Sequence, residues 1–313
     1  MERPSYLETS SASLALFEPS GDSYSEEIDS SAALLETFPT PAPFSSLAAC
    51  INTVTTREDR ILEGTSDDEY LAFSGVSVAD FDKIEKWRGN RAIRLFYLGE
   101  VEILIVKIPS RIHEGVHLAF ARECVLRAHG IGLLPQEFVG VGSAKYTRLL
   151  RGNQRTSKEA DGCWINLLLR NGATDWPSLV IEAGYSQGMA SLRSAARWWI
   201  SRGRGQVRIV LILSIRVATR TIKVERWVPR IATMNAYVRN HLRPRPLSNL
   251  NFPTMSGSIT INQSTTPSTI TGDLPLTLEF EQIIGRPAGA NEADMVFSAQ
   301  DLDNMTLHLW NLV

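Results

Sequence analysis

Three cysteines in 313 residues, Cys50, Cys124 and Cys163, are too few and too far apart for a disulfide framework or a cysteine-ligated zinc site. They point to a reducing compartment. Long apolar runs are also missing. The longest, Val207 to Ile215, contains Arg208 and falls far short of the ~20 residues that a membrane-spanning helix needs. No membrane partner is expected. The opening residues lack a basic stretch followed by an apolar core, so no secretory leader is expected, and an intracellular location, cytoplasm or nucleus, is the expectation. There is no internal repeat. Gly140-Val141-Gly142 is not a dinucleotide fingerprint, because no third glycine opens a helix at the needed spacing.

Net charge is low as well, at −2, but it is the sum of two opposed regions. Residues 1–56 hold one basic residue, Arg3, and eight acidic ones, with eleven serines and the proline cluster Phe38 to Phe44. Such a composition buries too little apolar surface to offset chain entropy, so residues 1–60 are expected to be a disordered, acidic, Ser/Pro-rich tail. The remainder is basic. Between Ala183 and Gly272 there are thirteen Arg or Lys residues and one acid, Glu225. A run of this kind is the electrostatic footprint of phosphate-backbone binding, or else the solvated face of amphipathic elements.

Within the body, Val78 to Trp87 has threefold apolar spacing, a capping Ser77 and a terminating Gly89, which predicts a helix. Ile93 to Tyr97 and Val101 to Ile108 read as strands. Val116, Phe120, Cys124 and Ala128 at fourfold spacing predict a helix over 112–129. Short strands follow near 137–141 and 145–150, then a polar loop over 151–160 and a strand over 161–169. Ser178 to Gly184 is a strand, 188–201 an amphipathic helix, and Val207 to Ile215 a central strand. Thr221 to Val228, Ser258 to Asn262 and Leu276 to Phe280 complete the strands, and a helix over 301–312 closes the chain. The succession predicts an α/β fold, a central mixed sheet flanked by helices, over residues 70–313, with a core at 90–230 and an extension at 231–313.

Two acids stand where acids are unusual. Asp161 opens a strand, and Glu182 lies inside the apolar run Leu179 to Ala183. Paired as a hairpin, the two strands would bring both carboxylates together, an oxygen set suited to Mg²⁺ or Mn²⁺. The alternatives are a solvent-exposed edge acid for Asp161 and, for Glu182, pairing with an Arg of the following helix.

Pro109 to Glu114 after a strand, then Lys158 to Asp161, then Trp176 to Gln187 resemble the motifs of the PD-(D/E)xK, restriction-endonuclease-like superfamily. More narrowly they resemble a group of uncharacterised fungal proteins of that fold. The resemblance spans about residues 75–230. It implies a restriction-endonuclease-like core and a metal-dependent nuclease that hydrolyses nucleic-acid phosphodiesters, with Asp161 and Glu182 as the metal carboxylates. Glu114, beside His113, would be an assisting helix acid. Gln187, Arg193, Arg197, Arg202 and Arg204 would touch nucleic acid. The family's lysine two residues after the Glu is Gly184 here; Lys158, on a loop folding over the site, or Arg193, which cannot act as a base, would fill its role, or Mg²⁺ would activate the water without either. The alternative is an inactive nuclease-like fold that binds nucleic acid or protein.

Overall fold

A computed structural model of the chain describes residue 31 and residues 34–150, 152–185, 188–231 and 251–313. It contains two large sheets. The first has the order β1-β2-β4-β3-β7-β6, built from β1 (Ala42–Pro43), β2 (Tyr70–Ser74), β3 (Arg94–Leu98), β4 (Ile103–Lys107), β6 (Lys145–Leu149) and β7 (Arg155–Glu159). The second has the order β13-β12-β11-β10-β9-β8-β5. Its strands are β5 (Val139–Gly140), β8 (Gly162–Ile165), β9 (Leu179–Tyr185), β10 (Ile209–Arg216), β11 (Thr221–Ile231), β12 (Asn251–Asn262) and β13 (Thr269–Gly272). It is mixed: β9 runs parallel to β10 and antiparallel to β8. The expected α/β architecture, with mixed sheets flanked by helices, is present. No helix among the described residues is long and apolar enough to cross a membrane.

Strand alternation sorts the layers. Leu179, Ile181 and Ala183 of β9 pack with Ile112, Val116, Phe120 and Cys124 of helix α3 (Arg111–Gly130). Val180 packs on the other face with Leu192, Ala196 and Trp199 of helix α4 (Met189–Arg202), together with Phe96 and Ile105 of the first sheet. The far side of the first sheet buries helices α1 (Leu47–Leu62) and α2 (Val78–Arg88) through Cys50, Val54, Phe81 and Ile84. Ser77 accepts from Asp80 N and Gly89 ends α2, as the sequence predicts.

Three expectations change. Part of the segment expected as tail is folded: Ser46 caps α1, and Leu47, Cys50, Val54 and Ile61 form an apolar stripe that packs on the first sheet. Residues 1–30 and 32–33 of the expected tail lie outside the described residues. The polar segment 151–160 is no loop, because its second half is strand β7, paired on both sides. Thr156 and Glu159 are buried and bonded: Thr156 Oγ1 donates to the Tyr97 carbonyl at 2.9 Å, and Glu159 accepts from Leu95 N at 2.7 Å. Composition misleads here because partners in other strands offset the burial of these groups. Finally, β8 stops at Ile165, since Asn166 turns the chain by accepting from Leu168 N and donating to the Ile284 carbonyl.

The remaining chain leans on α3. Strands β14 (Leu276–Leu278) and β15 (Met295–Phe297) pair, with helix α5 (Phe280–Ile284) between them in sequence. Helix α6 (Ala299–Thr306), opened by a Ser298–Asp301 capping box, runs into a 3₁₀ turn, Leu307–Leu312.

Candidate functional site

The chain leaves the first sheet at the end of β7 and enters the second at the start of β8, crossing at Ala160 and Asp161. The β8–β9 register pairs Gly162 with Ile181, so Asp161 stands opposite Glu182. Past this point β8 no longer supplies a ladder to β9, and the side chains of Asp161 and of two distant segments take its place. Asp161 Oδ2 accepts from Ala183 N at 2.8 Å. Glu69 Oε2 accepts from Tyr185 N at 3.0 Å. The ammonium of Lys107, the last residue of β4, donates to the Ala183 carbonyl at 2.6 Å and to Asp161 Oδ2 at 2.5 Å.

Helix α3 closes the arrangement from one face. Ser110 caps it, its Oγ accepting from His113 N at 3.3 Å while donating to Glu69 Oε1 at 2.8 Å. His113 lies fully buried between two acids, with Nδ1 3.4 Å from Glu69 Oε2 and Nε2 3.3 Å from Asp161 Oδ1. Burial and Lys107 oppose a charge on this ring, but Asp161 and Glu69 outweigh them and raise its pKa to about 9. Burial alone would raise the Asp161 carboxyl; Lys107 and His113 hold it well below the usual range. Glu69 is lowered too, its burial outweighed chiefly by His113. Burial pushes His117 down. Glu114, half-exposed one residue beyond His113, accepts from Arg94 Nη2 at 3.3 Å and lies 3.8 Å from His117 Nδ1.

Glu182 has different company. It is 1% exposed, its Oε1 accepts from Trp199 Nε1 of α4 at 2.5 Å, and the Lys158 ammonium is 2.8 Å from Oε1 and 3.0 Å from Oε2. The two acids are therefore brought to opposing positions without sharing a partner. The break at Ala160–Asp161 turns Asp161 toward α3, whereas β9 alternation leaves Glu182 on the α4 face. A joint oxygen site for Mg²⁺ or Mn²⁺ needs both carboxylates free and convergent; Lys158 lies on both oxygens of Glu182, Lys107 and Ala183 N occupy Oδ2 of Asp161, and the two acids face different helices. The two-carboxylate site does not fit this arrangement.

The other expected residues divide similarly. Lys158 is on strand β7, not on a loop folded over the site, and it does reach Glu182. Arg193 does not reach Glu182: its Nε and Nη2 donate to the two oxygens of Glu225 at 3.0 and 2.6 Å, fastening α4 to β11. Arg202 is spent on Glu100 at 2.9 Å in the interior, which removes it from any nucleic-acid surface. Arg197 is exposed over the Trp227 ring and Arg204 is exposed in the turn after α4. Gln187 lies outside the described residues.

Sequence reasoning missed Glu69, Arg94, Lys107 and His117. Two signals were available. Lys107 is the one charge in the apolar run Ile103 to Ile108, and His113-Glu114-Gly115-Val116-His117 places two histidines at i and i+4 on one helical face. Arg94, Lys107 and Lys158 line a crevice between the first sheet and α4, under Phe38. Its volume is about 10 Å³, room for about one water molecule. No protein-family model matches the chain, and no curated protein matches it.

Proposed function

We propose that the chain is a nuclease-like domain whose two-carboxylate centre is quenched and which binds the phosphate backbone of nucleic acid. The observation that carries the reading is the pair of buried ammonium groups: Lys107 on Asp161 and Lys158 on Glu182. Each neutralises one acid that the superfamily resemblance assigns to the metal. The restriction-endonuclease-like core is supported by the order of α3, β8, antiparallel β9, α4 and parallel β10, with Asp161 opposite Glu182. For the nucleic-acid partner, the support is the basic excess over 183–272. Four of its cations, Arg193, Arg202, Lys223 and Arg226, are used in ion pairs with Glu225, Glu100 and Glu279. Arg197, Arg204, Arg216, Arg220 and Arg230 are exposed and supply the backbone contacts.

An oligonucleotide-binding titration against salt tests this. Affinity should fall with a log–log slope of about −0.9 per phosphate neutralised, and less steeply for R197E/R204E. A flat response sinks the reading.

The second reading, a metal-dependent nuclease, is favoured by one observation, the convergence of Asp161 and Glu114 around Arg94 and His113. Cleavage of the oligonucleotide in Mg²⁺ or Mn²⁺ that disappears in Asp161→Ala and Glu182→Ala would establish it and remove the quenched reading.

A further inference from the structure

The α3 end of the network holds buried polar atoms without hydrogen-bond partners: His113 Nε2, His117 Nδ1 and Asp161 Oδ1, with Arg94 Nε close by. Such atoms are costly to leave unpaired. His113 Nε2 and Asp161 Oδ1 are 3.3 Å apart. One ligand atom from each of His113, Glu114 and His117 lies within 4.8 Å of the others. Two ligands held about 2.0–2.1 Å from a tetrahedral ion stand about 3.3–3.4 Å apart, so little movement is needed to close this set on a cation.

We propose that α3 carries a site for a divalent transition cation of the Zn²⁺ class, held by His113 Nε2, His117 Nδ1 and the Glu114 carboxylate, the ion displacing the proton of His113 Nε2 and Asp161 Oδ1 lying beside that nitrogen. The inference stands apart from the nucleic-acid reading and needs neither Glu182 nor the basic surface.

Outer contacts are already those of a metal site. Ligating imidazoles turn their second nitrogen to a carboxylate or carbonyl, which fixes the ring. Here Glu69 sits on His113 Nδ1 and is itself held by Ser110 N, Ser110 Oγ and Tyr185 N. Lys107 and Ala183 N hold Asp161 by Oδ2 and leave Oδ1 free, while Arg94 holds Glu114 by Oε1 and leaves Oε2 facing His117. The donor set is two imidazole nitrogens and one carboxylate, which suits Zn²⁺ and its neighbours better than Mg²⁺. An ion pair between His113 and Asp161 alone would leave His117 Nδ1 unexplained. Half-exposed Glu114 gives the ion a way in.

The test uses the full chain, stripped with a chelator and titrated with ZnCl₂ by calorimetry and with CoCl₂ by visible absorption. One equivalent should bind, Co²⁺ should show the d–d bands of a tetrahedral site, and Zn²⁺ should raise the melting temperature. Glu69→Gln should weaken Zn²⁺ binding by about 10–100-fold, and His117→Asn by more, with an unchanged far-ultraviolet spectrum. Absence of stoichiometric binding overturns the proposal. So does unaltered affinity in folded His117→Asn, or a thiolate-to-cobalt band, which would place the ion on cysteine. Should His117→Asn fail to fold, the melting shift of the unmutated chain decides: a rise with Zn²⁺ supports the site, and no rise overturns it.

Discussion

The Lys107 ammonium is bonded at once to Asp161 Oδ2, at 2.5 Å, and to the carbonyl of Ala183, at 2.6 Å. It thus sits on two oxygens that would otherwise offer themselves to a hard cation. This single contact ties β4 of the first sheet to β9 of the second. Removing one partner of a buried ion pair leaves the other charge uncompensated, at a cost of about 3–5 kcal/mol. Lys107→Met should therefore lower unfolding stability in urea by about that much. Lys107→Met combined with Asp161→Asn should recover part of the loss, because the stranded charge is gone. A double variant less stable than Lys107→Met would contradict the pairing.

Glu182 makes a second such centre, and its partners can be ranked. Glu182→Gln strands the Lys158 ammonium and should cost about 3–5 kcal/mol. Trp199→Phe removes one indole bond to a charged acceptor, worth about 1.5–3 kcal/mol. Denaturation midpoints measured side by side should place Glu182→Gln below Trp199→Phe, and the reverse order would show that the indole bond outweighs the lysine.

Glu225 governs part of the acid limb of stability. Burial raises its pKa, but hydrogen bonds from Arg193 and Trp227 outweigh burial and set it below its ordinary 4.5. A lowered carboxyl contributes stability that is fully present above the unfolded value and is lost as pH falls through the folded one. Between pH 5 and pH 3 the unmutated chain should lose more stability than Glu225→Gln, measured by urea unfolding at each pH. Equal losses would remove Glu225 as a source of the acid sensitivity.

Gly99 tests the join between β3 and β7. A Cβ there would lie 2.2 Å from the Arg155 carbonyl oxygen, a backbone atom that cannot swing aside, and Gly99 N itself donates to that oxygen at 3.1 Å. Gly99→Ala should lower stability by about 1–3 kcal/mol, as overpacking does. An unchanged melting temperature would show that the two strands can part without cost.

Legibility in the sequence followed the range of the interactions. Helices α2 and α3 were readable because their caps and apolar faces lie within a few residues of one another. Strands β9 and β10 were readable because both are nearly continuous apolar runs. Strand β7 was not, since Lys158 and Glu159 look like loop residues until Glu182, Arg88 and Leu95 N supply their partners. Arg193 misled in the opposite direction, as its position on the helix after Glu182 carries no trace of Glu225, 32 residues away.

By itself, the sequence determined the alternation of strands and helices, the acids at 161 and 182, and the histidine spacing on α3, because periodicity, capping and charge in an apolar run are local properties. Only the tertiary structure decided what those acids do. Glu69, Arg94 and Lys107 reach Asp161 and its neighbours from strands and turns far away in the chain, and Lys158 and Trp199 close on Glu182 from two others. In a buried, low-dielectric junction the nearest counter-charge sets the chemistry of a carboxylate, and nearness there is fixed by how the two sheets and α3 meet.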